Sequence, residues 1–204
     1  MIAIIDYGAG NLRSVTNALV KLGYQPKVTS EASDVLNANA VIFPGVGAAP
    51  DTVRNLRKSG LDDVIRQVIR ENRPLLAICV GMQVLLSVTE EDGLNECLGV
   101  IPGVVKRLPS GLKVPHMGWN QVKQVTNHPI FNGIADGSNF YFVHSYYAEP
   151  ADARVVAGTT EYSVPLCSVL IKDSLIATQF HPEKSGELGL RMYDNFLKMA
   201  GVEG

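Results

Sequence analysis

The amino-acid sequence predicts an α/β fold, an open and mostly parallel sheet with helices on both faces, extended by antiparallel strands. Three observations carry this expectation. Short, continuously apolar runs recur in the first half, as strands buried on both faces require. Stretches of helical spacing separate those runs, giving strand-helix-strand order. The second half changes character, with short β-rich segments divided by turn residues.

Each element follows from its own residues. Residues 2–5 (Ile-Ala-Ile-Ile without break) form the first expected strand. Residues 12–22 follow as a helix with an apolar stripe at Leu12, Val15, Leu19 and Leu22, and Gly23 supplies the stop. A second apolar run at 40–43 ends in Pro44-Gly45. Helical spacing from 51 to 71, interrupted at Gly60, leads to a third run at 74–78 that ends at Cys79. Residues 79–86 then take helical spacing, with Met82, Leu85 and Leu86 on one face. Further strands are expected around 100–106, 121–125, 140–147, 154–160, 163–171 and 175–179, before a last helix at about 187–200. No repeat or linker divides the chain, so residues 1–204 are expected to form one domain.

Composition narrows the class. The chain is 46% hydrophobic and 19% charged with a formal net charge of −2, and its Lys and Arg are scattered, which argues against a nucleic-acid partner. Cys79, Cys97 and Cys167 are odd in number and lack metal-ligand spacing, and the four histidines do not pair at i+4. No metal or cofactor is therefore expected. Free thiols suit a reducing compartment, and the opening Met1-Ile2-Ala3-Ile4-Ile5-Asp6 lacks a basic region, so a cytoplasmic protein is expected. No apolar stretch reaches the ~20 residues that span a bilayer.

Three segments carry chemistry. Cys79 stands at a strand-to-helix junction flanked by Ala77 and Gly81, which suits a nucleophile elbow, although a small core thiol satisfies the same local pattern. A helix start behind it would favour the thiolate. His181-Pro182-Glu183 sets an imidazole and a carboxylate two residues apart on stiffened extended backbone, where the acid can fix the imidazole tautomer. An exposed histidine near a helix start reads the same way. Pro44-Gly45-Val46-Gly47 is either a plain turn or a loop whose unhindered amides could stabilise an oxyanion. Strand ends of an open α/β sheet share one edge, so the turns after the first-half strands should converge there. Gly8-Ala9-Gly10-Asn11 is not a dinucleotide loop, because Arg13 stands where the third glycine belongs.

Together, Cys79-Val80-Gly81-Met82-Gln83, His181-Pro182-Glu183 and Pro44-Gly45-Val46-Gly47 resemble the class I, triad-type glutamine amidotransferases, in the family's order and across essentially the whole chain. Narrower motifs are similar to the glutaminase subunits of imidazole glycerol phosphate synthases. They run from Asp6 to Ser14, from Pro115 to Asn120 (Pro-His-Met-Gly-Trp-Asn), from Tyr141 to Tyr147, and through Lys184-Ser185. The resemblance implies Cys79 as nucleophile, His181 as general acid/base and Glu183 as its orienting partner. It implies the amides of Gly47 and Val80 as oxyanion donors and Gln83 as a contact for substrate glutamine. It implies a (β/α)₈-barrel cyclase as heterodimeric partner, which uses the ammonia to form imidazole glycerol phosphate and an aminoimidazole carboxamide ribotide in histidine biosynthesis. Asn11, Arg13, Trp119, His144, Tyr146 and Lys184 are the candidate contacts with that partner, Trp119 and Tyr146 reading equally as core aromatics. Two departures stand out. Ala77 replaces a glycine common in the family, implying a slightly tighter elbow, and Ala48-Ala49-Pro50 follows Gly47 where Ala-Phe is frequent.

Overall fold

A computed structural model describes residues 1–203; Gly204, the last residue of the expected domain, lies outside the described residues. The first half alternates as expected: β1 (Ile2–Ile5), α1 (Leu12–Lys21), β2 (Pro26–Thr29), α2 (Ala32–Asn37), β3 (Ala40–Gly45), α3 (Ala49–Ser59), α4 (Leu61–Arg70) and β4 (Leu75–Cys79). The break between α3 and α4 falls on Gly60, which adopts φ 72°. Sequence reading passed over β2 and α2. β2 opens with a proline and exposes its two central residues, the profile of an edge strand and not of an apolar run.

After α5 (Val80–Gln83) come β5 (Val88–Thr89), β6 (Asn95–Glu96), β7 (Gly103–Arg107), β8 (His116–Gln124), β9 (Ser138–His144), β10 (Tyr146–Pro150), β11 (Val156–Glu161), β12 (Pro165–Lys172), β13 (Leu175–Thr178) and α6 (Gly186–Met199). A nine-stranded sheet runs β2-β1-β3-β4-β13-β12-β11-β8-β9. Its first five strands are parallel and the remainder antiparallel. Strands β1, β3 and β4 are buried along their whole length, which explains their unbroken apolar runs.

Two expectations are corrected. The segment 140–147 is not one strand: the chain turns at Ser145, and β10 leaves the large sheet to pair with β7 in a second, four-stranded sheet, β10-β7-β5-β6. The helix expected over 79–86 is one turn. The N–H groups of Leu85 and Leu86 bond only three residues back, to the Met82 and Gln83 carbonyls, and the carbonyls of Val84, Leu85 and Leu86 accept N–H groups of Leu98, Val100 and Gly99, so the helix does not continue.

Topology positions the chemistry. β4 lies between β3 and β13, with Gly45 opposite Cys79 and Ile78 opposite Thr178. The strands are parallel, so the segments after Gly45, Cys79 and Thr178 leave the same edge side by side. The turn after β1 joins them, with the Tyr7 ring edge-on to Phe43 at 5.7 Å.

Candidate active site

At this edge lies a cavity of about 420 Å³ whose lining includes Gly47, Cys79, Val80, Gln83, Glu91 and His181. The sequence keeps β3 and the elbow close enough to form it. A Cβ at Gly81 would stand 2.6 Å from the Phe43 carbonyl oxygen, and one at Gly45 would stand 2.2 Å from the Gly81 amide nitrogen. Only glycine fits either position. Cys79 itself takes φ 54° and ψ −109°, a left-handed conformation unfavourable for a side-chain-bearing residue and characteristic of a nucleophile elbow. With only one helical turn behind it, the helix dipole contributes little to this thiol.

Its neighbours contribute more. His181 donates through Nδ1 to Glu183 Oε1 at 2.8 Å, and the imidazole lines the same cavity as Cys79. Both side chains of the His181–Glu183 pair are nearly inaccessible, at 2% and 1% exposure. Burial pulls the His181 pKa down, but the hydrogen bonds and charges of Cys79 and Glu183 outweigh it and hold the imidazole above its ordinary value. Tyr193 OH lies 3.5 Å from Glu183 Oε2. Burial, together with the charge and hydrogen bond of Glu183, drives that phenol far above its usual range, so it stays a donor.

Gln83 and Gln179, both buried, complete the surroundings of the sulfur. The Tyr146 carbonyl can only accept, so Gln83 presents its amide nitrogen to it at 2.8 Å. The same nitrogen donates to Gln179 Oε1 at 3.1 Å, which turns Gln179 Nε2 toward Cys79 Sγ at 3.7 Å. The Gln83 amide carbonyl is the end left for a ligand. A second chain approaches from β8. His144 Nδ1 donates to Tyr146 O at 2.9 Å, its Nε2 accepts from His116 Nδ1 at 2.9 Å, and Asn120 Nδ2 reaches His116 Nε2 at 3.2 Å. Burial lowers His144 to about 4, outweighing the hydrogen bond to the Tyr146 carbonyl that pulls the other way, with smaller lowering contributions from the charges of His116 and His181, so it is neutral.

Of the residues singled out from sequence, Cys79, His181, Gln83, Gly47 and Val80 line the cavity, and Glu183 is joined to it through its hydrogen bond with His181. Gly47 adopts φ 93° in open space. The six proposed partner contacts divide. Arg13 and Trp119 are exposed, Asn11 is half-buried, and Lys184 sits 5.9 Å above the Tyr141 ring, whose neighbour Trp119 lies edge-on at 6.0 Å. His144 is instead buried, with both ring nitrogens engaged inside the protein, and Tyr146 is half-buried at the cavity. Trp119, 58% exposed, is a surface aromatic and not a core one.

Sequence reading missed Gln179, Ser185 and Glu91. Gln179 and Ser185 both lie in segments already singled out, where the available signal was a polar residue directly after a buried strand for Gln179 and one just before the last helix for Ser185. Glu91 sits in an acidic turn, Glu90-Glu91-Asp92-Gly93, of the kind found on any surface. Its carboxylate points instead to the cavity and accepts the Ala49 N–H at 2.7 Å. Pro50, one of the departures after Gly47, falls in the first turn of α3, where its missing N–H costs nothing. Among the described residues, no group of three His, Cys, Asp or Glu is arranged to hold a metal, and no helix is long and apolar enough to cross a membrane.

A strained thiol at a strand end, an imidazole-carboxylate pair from the neighbouring strand and a glycine loop opposite define an amidotransferase-type site. The family model "Glutamine amidotransferase class-I" matches residues 3–200, and the chain belongs to that family. Within it, the chain is 60% identical over 200 residues to the imidazole glycerol phosphate synthase subunit HisH of Dehalococcoides mccartyi strain CBDB1, covering 98% of both chains. It is 51% identical to the HisH subunit of Geobacter sulfurreducens, over 97% of this chain and 98% of that one. Among solved structures, a glutamine amidotransferase crystal structure superposes with a TM-score of 0.77 at 21% identity, covering 99% of this chain and 100% of that one. PurLQS from Thermotoga maritima does so with 0.75 at 18% identity, covering 97% of each; both likenesses speak to the fold alone.

Proposed function

We propose that residues 1–204 act as one glutaminase unit that hydrolyses glutamine to glutamate and ammonia and passes the ammonia to a barrel-type cyclase subunit. The cyclase then forms imidazole glycerol phosphate and an aminoimidazole carboxamide ribotide in histidine biosynthesis, in the cytoplasm. The observation that carries this reading is that Cys79 and His181 line one cavity, with Glu183 bonded to His181, in a chain 60% identical to a HisH subunit.

In the proposed reaction, the Cys79 thiolate bonds to the side-chain amide carbon of glutamine, and the carbonyl electron pair moves to oxygen. Amides of Gly47 and Val80 receive that oxyanion, each donor being worth about 3 kcal/mol of barrier. The imidazolium of His181 gives its proton to the departing nitrogen as the C–N bond breaks, releasing ammonia and leaving a γ-glutamyl thioester. Water then attacks with His181 as base, the C–S bond breaks, and glutamate leaves. Glu183 keeps the imidazole in the tautomer that faces the sulfur. The Gln83 carbonyl and the Glu91 carboxylate suit the α-ammonium of the substrate. No step calls for a cofactor.

Asn11, Arg13, Trp119 and Lys184 are the surface contacts we assign to the partner, and His144 and Tyr146 act behind them at the cavity. The test is to mix the chain with a candidate cyclase and its nucleotide ligand, following glutamate release and glutamine-dependent cyclase product. Stimulation of glutamate release by the partner is expected. Cys79→Ala should abolish it, costing several orders of magnitude. Equal rates with and without cyclase would overturn the two-subunit reading, and full activity in Cys79→Ala would overturn the triad.

A further inference from the structure

We propose that Glu91 is a positioning residue for the loop carrying Gly47, its carboxylate anchoring the Ala49 amide so that substrate held by Glu91 and the oxyanion loop are tied to one group. The substrate half of this inference rests on the glutaminase reading above.

The loop is short and fixed at both ends. At its start, Gly45 touches the elbow backbone, since a Cβ there would lie 2.2 Å from the Gly81 nitrogen. At its end, Ala49 begins α3, and the first N–H groups of a helix have no partner within the helix. Glu91 Oε2 accepts the buried Ala49 N–H at 2.7 Å, placing negative charge where the helix start favours it. Reorientation is thus confined to Val46, Gly47 and Ala48, and Gly47 has open space around its Cα.

The anchor is itself held rigidly. Glu91 donates its N–H to Thr89 Oγ1 at 3.2 Å, and its carbonyl accepts Asn95 Nδ2 at 2.8 Å. The same Asn95 amide reaches the Gly93 carbonyl at 3.1 Å. This turn joins β5 and β6, and β5 pairs with β7, so the carboxylate projects from the second sheet onto the loop of the first. Oε2 is spent on Ala49 and Oε1 is left for a cation in the cavity. A substrate ammonium on Oε1 restricts the carboxylate and thereby the loop two residues from Gly47.

Two variants separate this role from charge recognition. Glu91→Gln retains an oxygen for Ala49 and loses the charge; Glu91→Ala loses both. Hydrogen exchange at the Ala49 amide, read in each folded variant, should accelerate at least about 10-fold in Glu91→Ala and stay within about 3-fold of wild type in Glu91→Gln. Asn95→Ala, which keeps the carboxylate and loosens only its turn, should give an intermediate rise. Wild-type exchange in both Glu91→Ala and Asn95→Ala would overturn the anchor. In Cys79→Ala, glutamine that binds, read as a rise in melting temperature, should slow Ala49 exchange, and Glu91→Ala should abolish the slowing. Binding without slowing would overturn the coupling. Absence of glutamine binding would count against the glutaminase reading and leave the exchange result on the anchor standing.

Discussion

Ser185 donates its hydroxyl proton to the His181 carbonyl oxygen at 2.7 Å. Its oxygen also accepts the Tyr141 N–H at 3.0 Å, and His181 N–H donates to the Tyr141 carbonyl at 3.0 Å. One buried hydroxyl thus stitches β9 to the backbone that carries the imidazole, at the point where the chain leaves β13. Ser185→Ala orphans the Tyr141 N–H and should cost about 1–3 kcal/mol of stability. It should also release His181 from its register and lower kcat by about 10-fold with little change in KM. Denaturant titration and steady-state kinetics check both, and a wild-type kcat in the folded variant would rule out the positioning role.

The raised pKa of His181 predicts a pH-dependent stability. An imidazole bound to its proton more tightly when folded contributes fully below its unfolded pKa of about 6.5, and that contribution disappears as pH rises through the raised folded value. Glu183→Gln removes one cause of the shift and leaves a buried imidazolium without its anion, at a cost of about 3–5 kcal/mol. The gap between wild type and variant should be at its full size below about pH 6.5 and narrow steadily toward alkaline pH. Urea midpoints across that range would show it, and a constant gap would mean that Glu183 contributes by packing alone.

His144 has the opposite sign. Its folded pKa of about 4 lies below the unfolded value, so its contribution is present above about pH 6.5 and is lost as pH falls toward 4. That group should remove up to about 1.4 kcal/mol per pH unit within this window. His116, lowered by burial as well, steepens the acid limb. His144→Gln should flatten it. Nitrogen-15 NMR at pH 7 should find His144 neutral with its proton on Nδ1, because the Tyr146 carbonyl beside it can only accept. A doubly protonated ring would contradict the chain of hydrogen bonds through His116.

The readable parts of this fold were those that local physics dictates. β1, β3 and β4 declare themselves because burial on both faces demands unbroken apolar residues, and Gly60 divides α3 from α4 because it alone tolerates the left-handed turn there. Cys79, His181 and Gly47 each end or follow a strand, so their meeting follows once those strands are known to be parallel neighbours. What was not legible depends on long-range partners. The helix after Cys79 stops at Gln83, and residues 98–100 take the carbonyls of Val84, Leu85 and Leu86 just beyond it, which no local pattern announces. The turn at Ser145, which turns one expected strand into two in different sheets, is decided by pairing with β7. Glu91 looks like a surface acid until β5 and β6 carry it to the start of α3.

Gly81 in the elbow is packed as tightly as its backbone allows. Gly81 lies against the Phe43 backbone, where a Cβ would meet a carbonyl oxygen at 2.6 Å, and a strand carbonyl at the centre of a sheet has no flexible end to swing aside. Gly81→Ala must therefore push the elbow away from β3. Overpacking of this kind costs about 1–3 kcal/mol. The larger effect falls on geometry, because Cys79 moves relative to His181 on β13's side and to Gly47 on β3's side, and a displacement near 1 Å costs about 100-fold in rate. Gly60→Ala is the matched comparison. It has φ 72° with nothing within 4 Å of an added Cβ, so it bears backbone strain of about 1 kcal/mol without a clash and lies in the α3–α4 junction, away from the cavity. Gly60→Ala should lower the melting temperature and leave kcat/KM near wild type, whereas Gly81→Ala should lose kcat/KM far beyond its loss of stability. Equal activity in the two variants would show that the elbow absorbs the methyl without moving Cys79.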